Sequence, residues 1–247
     1  MTVDAPERLN RYLARRGVAS RRAADELIAA GRVTVNGATG HLGTQVSPAR
    51  DRVRVDDVAV EPVALTTLML NKPPGVVTTR RDPGGRPTVM ALVPEVAGLV
   101  PVGRLDADSR GLLLMTNDGD LAHRVAHPRY GVRKRYRVRL AASPSGSQLR
   151  RLVDGVELED GPARALSVRR ETAPLELELA IAEGRKREIR RMMAAVGLDV
   201  TDLVRLAVGP ISLGHLAQGA SRPLRDDEVR RLREAVGLEE RLEERDD

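Results

Sequence analysis

The sequence contains no cysteine, phenylalanine or tryptophan, and its only tyrosines are Tyr12, Tyr130 and Tyr136. Without cysteine, the chain can form neither disulfides nor thiolate metal sites, and it has no cysteine nucleophile. Without several large aromatic side chains, it cannot build an extended platform on which nucleic acid bases stack. Each tyrosine is therefore a candidate of individual interest.

Long apolar segments are also missing. No run approaches the roughly 20 residues of a membrane span, and the N-terminus lacks the hydrophobic segment of a signal peptide. We therefore expect a cytoplasmic protein without a membrane partner. The length of 247 residues and the hydrophobic content of 41% suit one large domain and one small domain.

The charge of the chain is positive and unevenly distributed. The net charge is +6, but the segment from Asp226 to the end holds ten acidic and five basic residues, so the preceding chain carries +11. Clustered Lys and Arg bind polyanions because they release counterions from phosphates. The preceding part of the chain is therefore expected to meet nucleic acid.

The first sixty or so residues are expected to form two helices and a hairpin, too small a unit to hold a substantial cleft. One helix is predicted from about Glu7 to Arg16, and Ser20 is expected to cap a second helix that ends near Ala30. The arginines of both helices have no matching acids at helical spacing, which favours RNA binding over a merely solvated surface. These arginines are Arg8, Arg11, Arg15, Arg21 and Arg22.

The segment Val102–Leu121 places charged residues directly before a buried strand. Asp106 and Asp108 precede the apolar run Leu112–Met115, which an Asn-Asp-Gly turn follows. Charges on such a rigid support are positioned for chemistry, whereas the alternative is a loop whose charges only confer solubility.

Two further segments are candidates for binding. Lys72 lies in a Pro-Pro-Gly corner that orders it at low entropic cost, between two predicted strands. The basic loop that follows, Arg80–Thr88, contains Arg80 and Arg81 and either closes over a phosphate backbone or is an ordinary hairpin loop.

A strand and a helix complete the set of candidates. From Val132 the residues alternate, with Tyr136 on the inner face either as a core residue or as a residue that stacks on a base. An amphipathic helix is predicted to begin near Arg185 and to carry Arg190 at the border of its buried face. Its Arg187 and Arg191 point further outward and suit phosphates.

A metal site is not expected. His123 and His127 have a suitable spacing, but Arg124 stands where zinc proteases carry a general-base Glu, and no third ligand is evident.

Together these segments resemble the bacterial ribosomal pseudouridine synthases that carry an N-terminal S4 RNA-binding domain. The segments ERLNRYLARRGVASRRAADELIAAGRVTVNG, NKPPGVVTT, GRLDADSRGLLLMTNDGDLA, KRYRV, EGRKREIRRM and RLAVGPISLGHLAQGASRPL occur in the order of that family. The segments RRDPGGRPTV and HPRYGVRKRYRV resemble most the branch that modifies large-subunit rRNA.

The resemblance implies an α+β fold with a helix-helix-hairpin S4 domain and a catalytic domain. The catalytic domain is expected to have a central mixed, mostly antiparallel sheet flanked by helices. The expected boundaries are 6–62 for the S4 domain, 65–236 for the catalytic domain and 237–247 for a charged, disordered tail.

The resemblance also implies roles for individual residues. Asp106 is the catalytic aspartate, Tyr136 lines the uracil pocket, and Arg190 pairs with Asp106. Arg104 supports the displaced RNA and Lys72 organises the site, whereas Asp108 is expected to be structural.

The expected function is isomerisation of a uridine to pseudouridine in rRNA, most closely 23S rRNA, by a monomer that needs no cofactor. An alternative is a non-enzymatic RNA-binding factor of ribosome assembly, which would have no need of Asp106, Tyr136 and Arg190 together. A metal-dependent nuclease using Asp106 and Asp108 lacks the additional ligands that such a site requires.

Overall fold

The computed structural model describes residues 6–173 and 175–238, and the fold is α+β, as predicted. Its hydrophobic core consists of three clusters, of which one belongs to the N-terminal unit and two lie against a large sheet. No helix within the described ranges is both long and apolar enough to cross a membrane.

The N-terminal unit packs two helices against short strands. Its cluster joins Leu9 and Leu13 of the first helix to Ile28 of the second and to strand residues. Ser20 caps the second helix, as predicted, by accepting a hydrogen bond from the Ala23 amide at 3.2 Å. The elements are β1 Glu7–Arg8, α1 Leu9–Arg15, α2 Arg21–Ala29, β2 Val33–Val35, β3 Ala38–Thr39, β4 Gln45–Val46, β5 Val53–Val55 and β6 Val58–Ala59.

The first helix is shorter than the sequence suggested. Glu7 and Arg8 are extended and pair with Val46 and Gln45, so α1 begins only at Leu9. Strand pairing thus takes two residues that helical periodicity alone would have placed in the helix.

The larger unit is organised around a sheet of nine strands. Its helices and strands are β7 Thr67–Lys72, β8 Val100–Pro101, β9 Arg110–Thr116, α3 Gly119–Ala126, β10 Lys134–Leu140, α4 Gly146–Asp154, β11 Val156–Leu158, β12 Gly161–Ala163, β13 Ser167–Arg170, β14 Glu176–Ile181, α5 Glu188–Ala195, β15 Val200–Val208, β16 Ile211–Ser212, β17 Ser221–Pro223 and α6 Asp226–Ala235. Short 3₁₀ turns lie at Val89–Leu92 and Pro128–Tyr130.

The sheet is mixed and mostly antiparallel, as predicted. Its strand order is β13-β14-β10-β15-β9-β7-β17, with β8 beside β9 and β16 beside β15, and only the pair β15-β9 is parallel. Strand β9 is buried on both faces, because Leu113 and Met115 join one cluster while Leu112 and Leu114 join the other under α3 and α6. The hydrophobic clusters on both faces of the sheet therefore hold β9 and the loop before it in place.

Two sequence-based element predictions were wrong. The strand expected after the Pro-Pro-Gly corner is reduced to an isolated bridge between Val77 and Thr88. The helix expected to begin near Arg185 begins at Glu188, because Arg187 has a left-handed backbone with φ of 50° that cannot lie within an α-helix.

The N-terminal unit packs directly on the larger unit. Gly17 and Gly98 both have positive φ, and a Cβ at Gly98 would overlap the carbonyl oxygen of Arg15. An ion pair between Arg11 and Asp120 adds to this contact. The backbones therefore meet at a distance that only glycine permits at position 98.

Candidate active site

Asp106 lies in the loop between β8 and β9, half-buried at a cavity of about 410 Å³. The wall of this cavity combines apolar side chains, including Leu105, Ile189 and Leu203, with several cationic ones. A carboxylate in such a cavity can act on a nucleotide base and ribose that enter it.

Lys72 holds the loop that carries Asp106 through hydrogen bonds to its backbone. The Lys72 ammonium group is fully buried and donates hydrogen bonds to the carbonyl oxygens of Ser109 at 2.8 Å, Pro73 at 3.0 Å and Ala107 at 3.3 Å. Burial lowers the pKa of Lys72 to about 8, although the negative charges of Asp108 and Asp106 oppose this shift.

The segment after Lys72 holds the same loop from one side. The Thr78 hydroxyl donates to the Leu105 carbonyl oxygen at 2.7 Å, and the Gly75 amide donates to the Ala107 carbonyl oxygen at 2.7 Å. The Pro-Pro-Gly corner and Thr78 after it therefore fix the backbone on both sides of Asp106.

The expected pair between Arg190 and Asp106 was wrong. The Arg190 guanidinium lies 3.4 Å from the Asp108 carboxylate and donates to the Val200 carbonyl oxygen at 3.1 Å. A turn closed by the bond from the Ser109 amide to the Asp106 carbonyl oxygen brings Asp108, rather than Asp106, against the start of α5. Within residues 6–173 and 175–238, the Asp106 carboxylate has no ion pair or side-chain hydrogen bond.

Asp108 instead forms the ion pairs of this region. Arg187 donates two hydrogen bonds to its carboxylate, at 3.1 and 3.2 Å. Partial burial raises the pKa of Asp108, but the hydrogen bonds and charges of Arg187 and Arg190 lower it overall. Asp108 thus joins the loop to α5.

Tyr136 belongs both to the core and to the cavity. It is buried, it joins the first hydrophobic cluster, and it lines the same cavity as Asp106. The sequence left open whether Tyr136 is a core residue or stacks on a base, and its position in the structure is compatible with both roles.

Two buried cations in the cavity wall were not among the predicted site residues, although the alternation of β10 placed Lys134 on the same face as Tyr136. Lys134 and Arg205 are 8% and 3% exposed, and both line the cavity. Burial, and then the charge of Arg205, lowers the pKa of Lys134 to about 8. Lys134 lies two residues before Tyr136 in an alternating strand, and Arg205 is a lone cation in an apolar strand. Both patterns were signals of an inward-facing charge.

Several arginines expected to bind phosphates have protein partners. Arg191 forms two hydrogen bonds to Asp160, at 2.8 and 2.9 Å. Arg15 and Arg11 lie 2.6 and 3.5 Å from the buried carboxylate of Glu7. The expectation that the N-terminal arginines lack matching acids was wrong for these two, because Glu7 lies four residues before Arg11 and its buried carboxylate also reaches Arg15.

Other candidate arginines are exposed and have no ion-pair partner in the described part of the chain. They occur in the N-terminal unit, in the basic loop after the Pro-Pro-Gly corner and before Asp106. These residues are Arg8, Arg21, Arg22, Arg80, Arg81 and Arg104.

The imidazole rings of His123 and His127 pack against each other. Their centroids lie 5.1 Å apart, and both rings meet Tyr130 edge-on. The His127 Nδ1 accepts a hydrogen bond from the Arg129 amide. Among the residues described, no group of three or more His, Asp or Glu side chains could hold a metal ion.

Comparison with known proteins finds relatives along nearly the whole chain. The profile of the RNA pseudouridylate synthase family matches residues 66–195, and that of the S4 domain matches residues 7–47. An uncharacterized RNA pseudouridine synthase from Aquifex aeolicus is 43% identical over 237 residues, which cover 94% of this chain and 95% of that protein.

Two further similarities agree with this result. The ribosomal large subunit pseudouridine synthase B of Bacillus subtilis is 39% identical over 234 residues, which cover 92% of this chain and 96% of that protein. A crystal structure of a pseudouridylate synthase has 30% identity and a TM-score of 0.66, and the match covers 91% of this chain and 99% of that one.

Proposed function

The chain belongs to the RNA pseudouridylate synthase family and is an RNA pseudouridine synthase, and we propose that it modifies a uridine of ribosomal RNA, most closely 23S rRNA. The name of the Bacillus subtilis relative, which refers to the large ribosomal subunit, supports this substrate. The enzyme acts in the cytoplasm, as a monomer and without a cofactor.

The catalytic residue is Asp106. The observation that carries this assignment is a carboxylate that has no ion pair or side-chain hydrogen bond among the described residues, at the cavity that Tyr136 also lines. Asp108 is the rival carboxylate, but its interactions with Arg187 and Arg190 suit a structural role.

The reaction breaks the N1–C1′ bond of uridine, turns the uracil and forms a C5–C1′ bond. The Asp106 carboxylate either attacks C1′ or removes a ribose proton, and both actions require its ionised form. The base must leave its stack to reach Asp106, and the ring of Tyr136 together with Leu203 and Ile189 receives it.

The other residues of the site position this reaction. Lys72 fixes the loop of Asp106 through its three carbonyl contacts. Arg190 acts through Asp108 and the start of α5, which is a correction of its expected direct contact with Asp106. Arg104 is exposed beside the cavity and supports the displaced RNA strand.

RNA binding extends from the site to the N-terminal unit. The N-terminal domain spans residues 6–62 and the catalytic domain spans residues 65–236. The acidic segment assigned to 237–247 lies outside the described residues from position 239 onward. Phosphates bind first to the exposed arginines that have no ion-pair partner in the part of the chain that the structure describes. They must compete with acidic side chains for the paired arginines. The first group is Arg8, Arg21, Arg22, Arg80 and Arg81, and the second is Arg11, Arg15, Arg187 and Arg191.

The test is to incubate the purified protein, in EDTA, with 23S and 16S transcripts from its own source and with precursor subunits. Pseudouridine is then mapped by carbodiimide modification and primer extension. We expect one new stop in 23S rRNA with the wild-type protein and none with Asp106→Asn. A stop confined to 16S rRNA would contradict the proposed substrate, and a stop that persists in Asp106→Asn would contradict the catalytic assignment.

A further inference from the structure

Lys134, Tyr136 and Arg205 form one connected group in the cavity wall. Tyr136 and Arg205 are direct partners across the antiparallel pair β10-β15, so their side chains lie on the same face of the sheet. Lys134 lies two residues before Tyr136 on that face. A base received beside Tyr136 therefore meets two cations.

The Arg205 guanidinium is only partly satisfied by the protein. Its Nε donates to the Leu112 carbonyl oxygen at 2.6 Å, and its Nη1 donates to the Arg104 carbonyl oxygen at 3.3 Å. Its Nη2 is buried without a hydrogen-bond partner in the described part of the chain. An orphaned buried donor on a charged group is costly, which calls for a function.

Lys134 is in a similar state. Its ammonium group donates to the carbonyl oxygens of Glu183 at 3.1 Å and Ala182 at 3.4 Å, which leaves one of its three N–H groups for another acceptor. The buried Glu188 also lines the cavity and its charge opposes the lowering of the Lys134 pKa, but burial raises the pKa of Glu188 itself, which weakens it as a counterion.

The chemistry of the site supplies an anion at this position. When the N1–C1′ bond breaks, its electron pair goes to the uracil, which becomes an anion. At the sugar, either the Asp106 carboxylate forms a bond to C1′, or it removes the C2′ proton and the C2′–H electron pair forms a C1′–C2′ double bond. The uracil ring then supplies the electron pair of the new C5–C1′ bond, while Asp106 leaves C1′ or returns its proton to C2′. The proton on C5 is finally replaced by one on N1, so the product is an isomer of uridine. The negative charge thus exists only between the two bond changes, where a preorganised cation lowers the barrier most.

We propose that Lys134 and Arg205 form a cationic floor beneath the base pocket that stabilises the detached uracil anion. This inference rests on the proposed catalytic role of Asp106 in the same cavity. An RNA phosphate is a poorer occupant, because both side chains are buried beside Tyr136, whereas the exposed cations Arg104 and Lys186 line the cavity nearer to solvent.

The test compares single-turnover rates on RNA that carries uridine or 5-fluorouridine at the target position. The rate is followed as the loss of the intact N1-linked nucleoside in nuclease digests. Fluorine withdraws electrons and stabilises the uracil anion. The reaction of the substituted base should therefore depend less on the positive charges of Lys134 and Arg205. We expect Lys134→Met to slow the uridine reaction about 100-fold, as removal of a transition-state donor does, and the 5-fluorouridine reaction at least about tenfold less severely.

Controls separate this role from a structural one. Arg137→Met changes an exposed arginine of the same strand and is expected to leave both rates within about twofold, since surface charges contribute little. Lys134→Arg keeps the charge and is expected to recover part of the uridine rate, and Arg205→Lys is a second test of the floor.

Two results would overturn the inference. The first is an equal loss of single-turnover rate on uridine and on 5-fluorouridine RNA, both in Lys134→Met and in Arg205→Lys. Such a result would indicate that these side chains have only a structural role. A loss of RNA affinity without a loss of single-turnover rate would indicate phosphate contacts instead. A wild-type protein without activity on either RNA, or an active Asp106→Asn variant, would instead contradict the proposed function itself.

Discussion

The loop of Asp106 depends on one buried ammonium group. Replacing Lys72 by Met leaves the Pro73 and Ser109 carbonyl oxygens without this donor, whereas the Ala107 carbonyl oxygen keeps the Gly75 amide. We therefore expect the free energy of unfolding to fall by about 2 kcal/mol. The single-turnover rate should fall with little change in RNA affinity, because the loop moves while the exposed arginines do not. Denaturant unfolding and filter binding measure the two effects.

The matched control for this variant is Lys186→Met. Lys186 lines the same cavity but is exposed and has no ion-pair partner in the described ranges. A Lys72→Met protein with a wild-type single-turnover rate would show that the loop does not need this support.

The sequence proposes Asp106 as the catalytic residue through a resemblance, but it does not predict the surroundings of Asp106. The order of motifs selects Asp106 over Asp108 through the resemblance. The partner of Arg190 depends instead on how the four-residue turn from Asp106 to Ser109 directs the two carboxylates. The apolar strand around Arg205 signals a buried charge, but the face on which Arg205 lies depends on a register shift. The register between β10 and β15 shifts next to Tyr136, so that Arg205 faces the same side as Val208. Strict alternation would have placed these two residues on opposite faces.

Among the elements, α6 is held at its N-terminus by a buried carboxylate. Glu228 accepts hydrogen bonds from the Arg225 amide at 2.9 Å and from Arg222 at 2.7 and 2.8 Å. Mainly through the Arg222 hydrogen bonds, these contacts lower the pKa of Glu228 from 4.5 to about 2.

This shift predicts a pH dependence of stability. Because the pKa is lower in the folded state, the contribution is fully present above pH 4.5 and is lost as the pH falls toward 2. We expect Glu228→Gln to lower the free energy of unfolding by about 2 kcal/mol at pH 7 and to reduce the loss of stability between these pH values. Urea titrations across this range measure both effects, and parallel curves for the two proteins would exclude the predicted role.

Element types were easier to predict than element ends. The alternation in β10 and the Ser20 cap depend on local sequence and were predicted correctly. The start of α5 depends on the backbone of Arg187, whose side chain bonds to Asp108, 79 residues away in the chain. Such long-range contacts leave no periodic signal in the sequence.

At the scale of the whole molecule, the contact between the two units fixes the distance from the N-terminal arginines to Asp106. Gly98→Ala adds a Cβ that overlaps the Arg15 carbonyl oxygen, so we expect the units to move apart. Small-angle scattering should show a larger radius of gyration, and the rate on full-length rRNA should fall more than the rate on a short hairpin.

Gly131→Ala is the matched control for this change. Gly131 also has positive φ, at 61°, but a Cβ there meets nothing within 4 Å. It should therefore add about 1 kcal/mol of backbone strain without moving the units. Identical scattering from both variants would show that the contact does not hold the units together.

The contact itself was beyond sequence reasoning. The charge asymmetry of the chain indicates an RNA partner, and the order of motifs indicates both domains. The pair of Arg11 with Asp120 and the approach of Gly98 to Arg15 depend on the packing of two units with separate cores.

The central claim is that Asp106, and not Asp108, performs the chemistry. The most direct measurement is the single-turnover rate of pseudouridine formation in Asp106→Asn and in Asp108→Asn, with folding of both proteins checked by thermal unfolding. We expect Asp106→Asn to lose at least about 10⁴-fold, as enzymes do when the reacting group is removed, and Asp108→Asn to stay within about tenfold of wild type. Substantial activity in Asp106→Asn, or a loss of equal size in Asp108→Asn, would contradict the account.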